Sequence, residues 1–268
     1  MNEVTVASVT TETWARRRRR ARELTARYPF AAELLRLYEA LVDVQESAFL
    51  RARDDRPEPG RVAGYATERI MRNVAEATIN AGPPALAAAV QDRLRDGSPA
   101  ELVSRWLAGE RQDAVDEYLA RAASAPVLEA LGPAAAQAWP GKRAERTCPR
   151  CGGLPQLSYL TDAGETLVSG PRLLLCCRCG ESWAHQRMTC AGCGEESTSK
   201  LPIFADAERF PHLRADACET CKQYVITIDL RKEPQAVPVV DELVALPLDL
   251  YVNERGFTKI VPNLMAIG

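Results

Sequence analysis

The sequence predicts an α+β protein: an all-helical N-terminal domain, then two tandem four-cysteine ribbon modules and a C-terminal helix. Three observations carry this reading. Apolar residues recur at three- and four-residue steps through the first half; short apolar runs between turn residues replace that period after Trp139; and all nine cysteines lie within the 74 residues from Cys148 to Cys221. The corresponding divisions are 1–140 for the helical domain, 141–188 and 189–233 for the two ribbons, and 234–268 for the closing helix and tail.

Residues 1 to about 12 are polar and Thr-rich and are expected to be a frayed arm. An arginine-rich segment punctuated by Trp14, Leu24 and Tyr28 ends at Pro29, and Phe30, Leu34, Leu37, Leu41, Val44 and Ala48 mark an amphipathic helix that stops in the Asp54 to Gly60 turn cluster. A third helix is expected over Val62 to Ala81, ahead of Gly82-Pro83-Pro84, and a shorter one over Ala85 to Leu94. Ser98, with Pro99 and Glu101 behind it, reads as the N-cap of a helix holding Leu102, Trp106 and Leu107. Glu110 to Ala123 and Val127 to Trp139 complete the set, divided at Pro126 and interrupted near Gly132-Pro133. Pro140-Gly141 marks the boundary. Strands are expected over Leu154 to Leu160, Leu167 to Leu175, Leu201 to Phe204 and Tyr224 to Leu230. From Val239 the helical period returns, with a kink or boundary at Pro247 and a turn over Asn253 to Gly256.

A chain of 268 residues with a formal charge of −2 has ample apolar content for a core and no whole-molecule drive toward nucleic acid or acidic membrane. No run of about 18 apolar residues is present, which argues against membrane insertion, and Arg16 to Arg20 lead into further charge, not a secretory apolar core. A cytoplasmic protein is expected; self-association stays open.

Eight cysteines form four Cys-x-x-Cys pairs: Cys148/Cys151, Cys176/Cys179, Cys190/Cys193 and Cys218/Cys221. Reduced cytoplasmic thiols in such pairs point to metal, and an odd count of nine suits disulfides poorly. A Cys-x-x-Cys turn presents two sulfurs, so two turns close one tetrahedral site. Twenty-four residues separate the first pair from the second and the third from the fourth, with ten between the second and third. The equal spacing favours two sequential sites, Cys148, Cys151, Cys176 and Cys179 in one and Cys190, Cys193, Cys218 and Cys221 in the other, over a cross-braced pairing. Gly152, Gly180 and Gly194 follow three pairs, where positive φ is needed; Lys222 departs from that pattern. Four thiolates leave no open coordination position, so the sites read as structural, and zinc and iron suit the donors equally.

Cys177, beside Leu173 to Leu175, reads as a small buried hydrophobe, and His185 and His212 as satisfied or exposed histidines. The Arg16 to Arg20 run reads as a solvated helix face. No phosphate loop, Gly-x-Ser-x-Gly elbow or His-Glu-x-x-His is present, so no enzyme activity is expected. Residues 148–221 hold seven Lys/Arg against nine Asp/Glu. Two divalent ions, each in four thiolates, bring that region to about −6, a poor phosphate binder.

The stretches Cys148-Pro149-Arg150-Cys151-Gly152-Gly153-Leu154-Pro155, Leu175 to Trp183, Cys190-Ala191-Gly192-Cys193 and Arg214 to Tyr224 resemble the FdhE family of formate dehydrogenase accessory proteins. So does the tail, with Asp241-Glu242-Leu243, Leu248-Asp249-Leu250 and Glu254-Arg255-Gly256-Phe257. The resemblance implies a helical domain joined to paired rubredoxin-like modules of the zinc-ribbon kind. It further implies iron in the cysteine sites, with zinc as the alternative, and a cytoplasmic assembly factor that binds the catalytic subunit of a formate dehydrogenase. The other readings are a rubredoxin-like electron carrier and a nucleic-acid-binding zinc ribbon.

Overall fold

The computed structural model describes residues 10–96, 99–139, 143–162 and 170–265. Helix α1 (Thr11–Arg27) begins inside the stretch expected to fray, with the Thr10 N–H donating to Thr13 Oγ1 at 3.2 Å. A 3-10 turn (Pro29–Ala31) leads into α2 (Ala32–Asp55), which packs on α1. Leu24, Leu35, Leu37 and Leu41 are fully buried between them and their neighbours, each stabilising by about 1.5–3 kcal/mol over exposure.

The single helix expected over Val62 to Ala81 is two, α3 (Val62–Arg69) and α4 (Met71–Ala81). Ile70 leaves helical geometry at φ −125°, ψ −40°, yet its N–H still reaches Ala66 O and its carbonyl still accepts from Val74. The bend lets α3 pack on α6 (Ala100–Ala108) while α4 turns toward α2 and α5 (Pro84–Asp96). The Ser98 N-cap and the Pro140-Gly141 boundary lie outside the described residues.

Pro126 does not divide two helices. It sits inside α7 (Ala114–Leu131), which Asp113 caps by accepting the Asp116 N–H at 3.0 Å. Proline has no N–H for the carbonyl four residues back, Ala122 O. Gln45 of α2 supplies the donor instead, its Nε2 lying 3.0 Å from that carbonyl in a buried position. A 3-10 turn (Gly132–Ala138) ends the helical half.

One sheet then carries both ribbons. The first supplies β1 (Pro155–Leu160), β2 (Arg172–Cys176) and β3 (Ser182–His185); the second supplies β4 (Ile203–Phe204), β5 (Leu213–Cys218) and β6 (Gln223–Asp229). The order is β3-β2-β1-β6-β5-β4, antiparallel except at the centre, where β1 runs parallel to β6 with Leu157 opposite Ile226. Arg172 stitches the ribbons together: its Nε donates to Ser158 Oγ at 2.8 Å and its Nη2 pairs with Asp216 at 3.2 Å.

The chain closes through α8 (Pro238–Asp241), a 3-10 turn (Glu242–Ala245), α9 (Leu246–Asn253) and β7 (Thr258–Lys259), which adds to β6 in parallel. Pro247 occupies the first turn of α9, where its missing N–H costs nothing. One apolar core runs from Trp14 and Phe49 of the helices through Leu157 and Ile226 of the sheet to Val244 and Val252 of the closing segment.

Candidate metal centres

Each Cys-x-x-Cys pair forms a tight turn whose following residue takes positive φ: Gly152 at 74°, Gly180 at 67°, Gly194 at 83° and Lys222 at 56°. Lys222 is therefore no exception in conformation, only in residue type, and it carries the strain that glycine avoids. In three of the turns that residue's N–H returns to the first cysteine's carbonyl, from Gly152 to Cys148, Gly194 to Cys190 and Lys222 to Cys218. Other N–H groups of the turns point at sulfur, as Gly192 does to Cys190 Sγ (3.3 Å) and Arg178 to Cys176 Sγ (3.4 Å).

The fold brings the eight paired cysteines together in two sequential groups, Cys148, Cys151, Cys176, Cys179 and Cys190, Cys193, Cys218, Cys221, with the sulfurs of each within 4.8 Å of one another. Separations across the first group are 3.6 Å for Cys148–Cys179 and 3.4 Å for Cys151–Cys176; across the second both Cys190–Cys221 and Cys193–Cys218 are 3.7 Å. Four sulfurs at about 2.3 Å from a central ion stand about 3.8 Å apart, so both cages have the size and donor set of a thiolate metal site. Either could hold one ion.

Charge within the first cage makes the same point. The Cys148 and Cys151 sulfurs push Cys179 up, burial pushes Cys176 up, and hydrogen bonds from Cys148 and Cys176 hold Cys151 down. Four thiolates do not coexist there without a cation, so filling the cage with metal must release protons.

The surroundings differ between the cages. Arg143 donates to Arg150 O beside the first, where Arg150 also pairs with Glu181, and Arg146 donates to Gly192 O beside the second. Glu195, in the second, is held down to about 2 by hydrogen bonds from Thr220 and the Ser197 N–H and by Lys200. Cys177 is buried, its N–H bonded to Leu154 O, as expected of a small hydrophobe. It borders a cavity of about 60 Å³ between the helices and the first ribbon, which Arg17, Arg121 and Arg178 also line. His185 Nε2 lies 3.2 Å from Thr189 O.

The arginine run is only in part a solvated face: Arg16 and Arg19 are exposed, and the other three are paired. Arg17 forms a two-fold bond to Glu129 (3.0 and 3.1 Å), Arg18 reaches Asp43 and Glu46, and the buried Arg20 clamps Asp241 at 2.6 and 3.0 Å. His212, fully buried, approaches the same carboxylate at 2.9 Å. The acids of the tail motifs are likewise internal. Glu242 and Asp249 share Lys259 at 2.9 and 3.3 Å, Gln156 of β1 donates to Glu242, and Arg121 of α7 joins Gln156 to the carbonyls of Pro262 and Asn263. Sequence reading missed these pairs, although acids inside the apolar run from Val239 to Val252 were a signal for them.

No described helix is long and apolar enough to cross a membrane. Residues 188–266 match the family model described as FdhE, C-terminal domain. The Protein FdhE homolog of Aquifex aeolicus is 34% identical over 118 residues, which is 44% of this chain and 41% of that protein. The Haemophilus influenzae homolog is 34% identical over 112 residues, 42% of this chain and 35% of its own length. The matched stretch thus spans less than half of either relative. The crystal structure of the FdhE protein from Pseudomonas aeruginosa superposes with a TM-score of 0.68 at 22% identity, covering 97% of both chains, a likeness of fold. Residues 188–266 thus carry the match to the FdhE C-terminal domain, and over nearly its whole length the chain has a fold like that of an FdhE protein.

Proposed function

We propose that this chain is a cytoplasmic accessory protein that binds the catalytic subunit of a formate dehydrogenase and assists its maturation, without turning over formate itself. The observation that carries the reading is the coincidence of FdhE-type sequence with the FdhE fold around two four-cysteine cages. Cys148, Cys151, Cys176 and Cys179 hold one ion in this reading, and Cys190, Cys193, Cys218 and Cys221 a second. Iron is the metal that the family resemblance favours, and zinc fits the same donors. When bound, a closed four-thiolate ion fixes the two turns it joins and offers no open position for substrate. Its contribution is therefore the shape of the ribbon surface.

For the client we assign the cleft of about 250 Å³ that α1 forms with the sheet, where Arg16, Tyr159, Leu175, Leu230, Val237 and Val239 line the walls. A half-exposed apolar cleft beside a guanidinium suits a segment of a partner protein. The test is capture of the unprocessed formate dehydrogenase subunit by the tagged chain. Leu230→Glu should weaken capture at least about tenfold, the value of one apolar side chain lost from a contact, with metal content unchanged. A strain lacking the protein that keeps full formate dehydrogenase activity would contradict the role.

A further inference from the structure

The two cages are alike in ligands and unlike in access. In the first, all four cysteines are buried, none more than 3% exposed, and they belong to the core shared with the helical domain. Glu129 of α7 packs against Gly180, Arg178 reaches back to Gly109 beyond α6, and Arg143 covers Gly152. A reagent reaches these sulfurs only when the ribbon parts from the helices. In the second cage Cys193 and Cys221 are half-buried, and neither belongs to that core. The neighbours of Cys221 in its turn, Glu219, Thr220 and Lys222, are exposed.

From this asymmetry we infer that the second cage is an exchange site, at which Cys193 and Cys221 meet thiophilic metal ions and electrophiles, while the first cage is closed. The physical reason lies in what must open. Thiolate reactivity depends on access as well as ionisation. Local opening of an exposed turn is far cheaper than opening a packed core. The chemistry balances simply: a Cys193 or Cys221 thiolate displaces iodide from iodoacetamide, a C–S bond forming as the C–I bond breaks, and the ion so released passes to a chelator. The inference rests on the reading that each cage holds an ion and is independent of the client.

The test uses the full chain loaded with zinc, treated with iodoacetamide and EDTA, and followed by peptide mass spectrometry and elemental analysis. Two ions per chain at the start establish occupancy by itself; the time course then tests the inference. The expected result is modification of Cys193 and Cys221 with loss of one ion, at least about tenfold faster than modification of Cys148, Cys151, Cys176 and Cys179. Equal rates, simultaneous loss of both ions, or earlier reaction of the first cage would overturn it. Cys193→Ser should keep one ion and the wild-type circular dichroism spectrum, and its collapse to a metal-free, unfolded chain would count equally against the inference.

Discussion

Gly153 lies against two sulfurs of the first cage: a Cβ there would stand 2.7 Å from Cys176 Sγ and 3.2 Å from Cys151 Sγ. The first distance is shorter than real contacts allow and the second is tight, and neither sulfur can retreat while bound to a common ion. Gly153→Ala should therefore cost the first cage its metal and leave the second loaded, read by elemental analysis as one ion per chain. The grouping of the eight cysteines was legible in the sequence, because each turn is local and the equal 24-residue intervals match the two sets of four that meet in space. The arginine run was not legible in the same way. Arg17 and Arg20 find their acids 112 and 221 residues away, at Glu129 and Asp241, and five consecutive arginines carry no mark of which of them will be buried.

At the scale of elements, the amphipathic helices followed from apolar spacing, whereas the helix through Pro126 turned on a contact distant in sequence. Pro126 continues α7 because Gln45 donates to Ala122 O, 77 residues from it in sequence, the carbonyl that proline leaves without a partner. Gln45→Ala should destabilise by about 1–3 kcal/mol, the penalty for an unsatisfied buried acceptor, and thermal unfolding would report it. Pro126→Ala restores the missing N–H, so the same Gln45→Ala change should cost less in that background; equal cost in both would sever the link. Strand β5 went unread although Leu213, Ala215 and Ala217 alternate with the less buried Arg214 and Asp216, the period of a strand. Its small alanines and paired charges gave it no apolar run. Strand β7, with two residues, is too short for any periodic signal.

At the scale of the molecule, charged pairs buried in the core tie the helices, ribbons and closing segment together. Burial alone would raise Asp241, but His212 and Arg20 hold its carboxyl below the usual range. A carboxyl lowered on folding contributes stability that is present above its unfolded value and lost as pH falls through its folded one. Wild type should thus lose this contribution below about pH 4, and Asp241→Asn should be less stable by about 3–5 kcal/mol at neutral pH with a flatter acid limb. Metal release in acid affects both proteins, so the difference between their unfolding curves isolates Asp241. The parallel β1–β6 join could not be read from sequence, since the spacing that defines each ribbon says nothing of how two ribbons meet. That join makes one sheet of the two modules while leaving each cage its own four sulfurs. The most direct test of the account is metal content in wild type and in a Cys190→Ala, Cys193→Ala variant. Two sequential cages predict two ions in the wild type and one in the variant; a variant that loses nearly all its metal, or keeps all of it, would contradict them.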